Sequence, residues 1–97
     1  MLDVDEQRLF EALADQRARE LLLAASRSLT ASELGERCSL PTSTLYRKLD
    51  ALEAAGLLRV TSRRRTGGNH AKTYERRVET VEVSLSDATR PAVRLTV

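Results

Sequence analysis

The amino-acid sequence predicts a mainly α domain that finishes in β strands. Three observations carry that expectation. Apolar residues recur at helical spacing from Leu9 to Leu52. After Gly56 the pattern turns to alternation, in "LLRVTSRRR", "KTYERRV", "TVEVSL" and "AVRLTV". Capping residues stand at the joins between the periodic segments, so the helices have legible starts.

Residues 5–14 read as a first helix, with Leu9, Phe10 and Leu13 on one face. Asp15 is expected to cap a second helix through Ser26, whose inner stripe is Ala18, Leu21, Leu22 and Ala25. "TASE" has the form of a capping box, Thr30 at the cap and Glu33 three residues on. It opens a short helix over 31–38, with Ala31, Leu34 and Cys38 inward. "SLP" makes the turn, and Pro41 suits the first turn of the next helix, where a missing N–H costs little.

The fourth helix spans 41–55 in this reading. Leu45, Leu49 and Leu52 form its buried stripe. Ser43, Arg47 and Asp50 fall on the opposite face, with Tyr46 flanking it and Lys48 toward the other border. Gly56 ends the helix by taking a left-handed conformation. Residues 57–65 and 72–78 follow as strands around "TGGNHA", a hairpin tip with His70 as an exposed polar residue. The last twenty residues hold two alternating runs, Val81, Val83, Leu85 and Val93, Leu95, Val97, around the turn-forming "SDATRP". They read as a second hairpin or two extra strands. The whole is a winged helix-turn-helix, mainly α with a β wing and extra C-terminal β strands.

Composition narrows the function. The chain has 97 residues, enough for one core, and its 41% hydrophobic content argues against disorder. Its longest apolar run, "LLLAA", falls far short of the roughly 18 residues of a membrane span. The acidic start "MLDVDEQ" has no signal-peptide pattern, and a single cysteine permits no internal disulfide; a cytoplasmic location is expected. One cysteine and one histidine supply neither a metal site nor a nucleophile–base pair, so no enzyme, metal or cofactor is expected. Net charge is only +2, but residues 57–77 hold seven basic side chains against Glu75. That segregation points to a local anionic partner.

The helix over 41–55 has the chemistry of a groove reader. Small polar residues at its N-terminal end allow close backbone approach, and a forked donor behind them can bridge guanine O6 and N7. Ser43 and Arg47 fit those roles. Thr42, Thr44 and Lys48 border the face, within reach of phosphates that fix register without reading sequence. On the hairpin, Arg63 and Arg65 share one face and Arg64 the other. With Lys72 across the strand, they could straddle a phosphate backbone or enter a minor groove.

The segments "LFEALADQRARELLLAA", "LTASELGERCSLPTSTLYRKLDALEAAGLLR" and "AKTYERR" resemble winged-helix transcription regulators of the ArsR type. "LPTSTLYRKL" is equally similar to IclR-type DNA-binding domains. The resemblance covers roughly residues 8–77. It implies a double-stranded-DNA-binding, dimeric transcription factor whose recognition helix makes its contacts through Thr42, Ser43, Thr44, Tyr46 and Arg47. Metal-sensing members carry a cysteine pair where this chain has Thr30 and Ser32, and lone Cys38 falls on an inner stripe. The C-terminal helix often used for dimerisation is replaced by strands.

These readings make residues 1–78 a DNA-binding unit and 79–97 a β extension of the same domain that contributes to a homodimer interface. A small-molecule effector is not legible. The rival is a winged-helix module that binds protein, with Tyr46 and Arg47 as its contact; it has no need of Arg63, Arg64, Arg65 and Lys72 around one hairpin.

Overall fold

The computed structural model describes residues 5–64 and 70–97. Four helices come first: α1 (Glu6–Ala14), α2 (Gln16–Ala24), α3 (Ala31–Cys38) and α4 (Thr42–Ala54). A two-residue strand, β1 (Leu29–Thr30), leads into α3. After α4 come β2 (Leu58–Arg64), β3 (His70–Arg76), β4 (Thr80–Ser84) and β5 (Ala92–Thr96). The architecture is a winged helix with extra C-terminal strands. Among the described residues no helix is long and apolar enough to cross a membrane.

The helix stripes close on one core. Leu9, Leu21, Leu34, Leu49 and Leu52 are fully buried, as are Leu57 and Ala55 behind them. Phe10, Leu13 and Cys38, expected to face inward, sit half-buried at its margin. Ala12 is buried in their place, where a small side chain lets α1 lie against its neighbours. Gly35 does the same between α3 and α4: a Cβ there would come 3.0 Å from Leu45 Cδ2. Its missing side chain sets how closely the two helices of the turn approach.

The caps hold much as expected. Thr30 and Glu33 form the reciprocal capping box. Asp15 accepts from the backbone N–H groups of Arg17 (2.9 Å) and Ala18 (3.4 Å). Several boundaries differ. The second helix stops at Ala24 rather than Ser26. Pro41 is the N-cap of α4, with extended backbone, rather than a residue of its first turn. The wing strands run Leu58–Arg64 and His70–Arg76 rather than 57–65 and 72–78, the second starting at His70 because pairing continues to Arg64.

β3 is the central strand of a three-stranded antiparallel sheet ordered β1–β3–β2. Its register sets Tyr74 against both Leu29 and Val60, and Thr73 against Thr30 and Thr61. Thr61 and Thr73 share a hydroxyl hydrogen bond of 2.8 Å, and Thr73 is buried. β4 and β5 form a separate two-stranded sheet. Three backbone bonds fix the path from one sheet to the other: Arg76 N–H to Ala25 O (2.8 Å), Arg77 N–H to Leu57 O (3.0 Å) and Glu79 N–H to Thr96 O (2.7 Å).

Candidate nucleic-acid interface

The turn before α4 is shaped by Ser39, which ends α3 in the left-handed conformation at φ 53°. Leu40 N–H then bonds back to Gly35 O at 3.1 Å, so the chain reverses within three residues. From the far side the Arg17 guanidinium donates to Cys38 O and, at 3.3 Å, to Ser39 O. It also pairs with Glu20. The last carbonyls of α3 are thereby held by a cation, which opposes the negative end of the helix dipole.

Burial of Leu45, Leu49 and Leu52 orients α4. Thr42, Ser43 and Arg47 are exposed on its open side, Tyr46 is 47% exposed, and Thr44 is half-buried at the edge. Beside them a shallow groove of about 360 Å³ runs between α4 and the wing. Tyr46 and Asp50 line one wall; Lys72 and Tyr74 line the other, and Ser32 closes one end. Lys72 is exposed and pairs across the strands with Ser62. Arg63 and Arg64 occupy β2 opposite Ala71 and His70. Arg65 and the expected tip over 66–69 lie outside the described residues.

Lys48 does not join this group. Its ammonium is ion-paired with Asp15 at the start of α2, and its side chain is only 16% exposed. The pairing is why the Asp15 carboxyl is held below the ordinary carboxylate range, with the Ala18 and Arg17 amides adding to it. Sequence periodicity assigns Lys48 to a border of α4 without saying which neighbour waits there.

Electrostatics sharpen the contrast along the wing. Arg59 is matched by Glu75 at 3.0 Å, and Ser28 bonds the same carboxylate. Arg76 bonds Leu22 O at 3.2 Å and lies 3.8 Å from Glu79. The base of the hairpin is therefore internally balanced: Arg59 and Arg76 both have partners among the described residues. Asp50 lines the groove beside Tyr74. Burial raises the Tyr74 phenol above its ordinary pKa, and neighbouring Tyr46, Asp50 and Glu53 push it the same way. Asp50, Tyr74 and Ser32 were not anticipated as lining residues; only Asp50, on the outer face of its helix, left a sequence signal.

Cys38 is a half-buried thiol whose pKa is raised, chiefly by desolvation and then by Glu20. That is the reverse of an activated cysteine. Among the described residues no three His, Cys, Asp or Glu side chains gather as a metal site.

Two helices joined by a tight turn, the second presenting a polar face beside an antiparallel hairpin, define a helix-turn-helix domain. The chain belongs to the helix-turn-helix domain family: the family's model matches residues 7–61, from α1 into β2. No curated protein matches the chain.

Proposed function

We propose that this chain is a sequence-specific, double-stranded-DNA-binding transcription regulator, of the ArsR-like kind its helices resemble, acting as a homodimer in the cytoplasm and not as an enzyme. One observation carries the reading. α4 keeps Thr42, Ser43 and Arg47 exposed beside the strands that bear Arg63, Arg64 and Lys72. In this reading the N-terminal half of α4 enters the major groove, and Arg47 bridges a guanine while Thr42, Ser43, Thr44 and Tyr46 set the approach. The wing, Arg65 included, holds the adjacent phosphates. Lys48 takes a supporting role, steadying α4 from behind.

Selection of bound sequences from random duplex DNA tests this. The expected result is a near-palindromic site with half-sites about one helical turn apart. No enriched sequence, together with no retention on mixed-sequence duplex at low salt, would favour the protein-binding alternative centred on Tyr46 and Arg47.

A further inference from the structure

The C-terminal hairpin has two unlike faces. Val81 stands opposite Leu95 and Val83 opposite Val93. Directly opposed residues of an antiparallel pair share a face, so these four make one apolar side. Thr80, Glu82, Arg94 and Thr96 make the polar one. The core covers this side in part: Val81, Val93 and Leu95 are half-buried against it. Val83 is 44% exposed and Leu85 78%. Leu23 on α2 is 72% exposed and shares a shallow groove with Leu22 and Val81. Apolar surface thus continues from α2 onto the hairpin.

Two further facts bear on what covers it. A lone two-stranded hairpin is marginal in water and needs a packed face. This one pairs with no other strand among the described residues: β4 and β5 make a sheet of their own. The rim decides the chemistry of the occupant. Arg19, Arg76 and Glu79 border the groove, cations and an anion together. A polyanion or an anionic bilayer would be met by a basic rim. A rim of both signs around an apolar face is complementary to itself under a two-fold axis.

We infer that this face is the dimerisation surface, and that its occupant is a second copy of the chain, hairpin against hairpin with Leu23 beside them. The inference rests on the paired-copy part of the proposed function and adds to it the surface responsible. It does not depend on what α4 contacts.

Light scattering of the full chain without DNA tests it. The wild type should show twice the chain mass at micromolar concentration. Val83→Glu should halve that mass while leaving the helical circular dichroism unchanged. Leu85→Lys, at a more exposed position, serves if Val83→Glu unfolds. A single-chain mass for the wild type, or a dimer that survives in the folded variants, would overturn the surface. DNA binding is read separately, on a half-site duplex. A dimer sensitive to Val83→Glu that binds no duplex would sink the proposed function and leave the surface standing; a wild-type monomer that binds DNA would do the reverse.

Discussion

Lys48 of the exposed helix is ion-paired with Asp15, the residue that also caps α2. One carboxylate therefore starts one helix and holds the back of another. Two residues on, Arg17 grips the turn that leads into the same helix. The N-terminus of α2 thus fixes α4 at two points, behind its second turn and ahead of its first.

This pair should make stability pH-dependent in acid. The folded-state pKa of Asp15 lies below its ordinary value, mainly through Lys48. A depressed carboxylate contributes stability that is complete above its unfolded pKa, about 3.9, and is lost as pH falls through the folded value. Asp15→Asn keeps an acceptor at the cap but removes the charge. In urea titrations it should be less stable than wild type at neutral pH, the gap closing once pH passes below the folded pKa. A gap of constant size from neutral pH into strong acid would show that the charge contributes nothing. The Asp15 side chain is 36% exposed, so solvent screening keeps the effect modest.

Arg47 and Lys48 are neighbours with opposite expected phenotypes. Arg47→Ala should weaken binding to the preferred duplex by about 1–3 kcal/mol and relax its sequence preference, with the fold unchanged. Lys48→Gln should lower the melting temperature and leave the salt dependence of binding alone. Competition against scrambled duplex reads the first and a salt series the second. An unaltered preference in Arg47→Ala would remove it as a base reader.

The wing residues should act without regard to sequence. Replacing Arg63, Arg64 and Arg65 by Gln should weaken all duplexes alike, flattening the slope of log K against log salt by about 0.9 for each phosphate no longer neutralised. Lys72→Gln should remove one such increment. If the slope does not move, these side chains are solvated and the protein-binding alternative gains.

Two residues of the turn predict opposite stability changes. Ser39 carries a side chain at φ 53°, where glycine is at ease. Ser39→Gly should stabilise by about 1 kcal/mol, a rise in melting temperature of roughly 4–8 °C for a domain of this size. At Gly35 a new side chain would meet buried Leu45. Gly35→Val should cost about 1–3 kcal/mol through overpacking, and should weaken DNA binding by wedging α3 from α4. Melting curves decide both; a stabilised Gly35→Val would mean that Leu45 has room to move.

Much of the fold was legible because it is written locally. Leu45, Leu49 and Leu52 announce a helix and its buried side, and Thr30 with Glu33 announces where another begins. What escaped depends on partners far away in sequence. β1 is two residues long and exists only because Tyr74 and Thr73 lie beside it. Lys48 and Asp15 are separated by 33 positions, so no window along the chain brings them together. The same limit hid Tyr74 beside Lys72 on the wing-side wall of the groove. Ser43 and Arg47 could be read from helical phase alone, whereas Tyr74 and Ser32 required the sheet to be assembled.

Thr30 belongs to two structures at once: it pairs with Thr73 on the central wing strand, and it caps α3. The wing sheet and the helix pair are consequently joined through Thr30, beside the Leu29–Tyr74 pair. Such a frame would work as a fixed-jaw gauge. If α4 and the wing take hold of a duplex as proposed, one of unsuitable groove width would itself have to deform, so the stiffness of bases that no side chain touches would enter the choice of site.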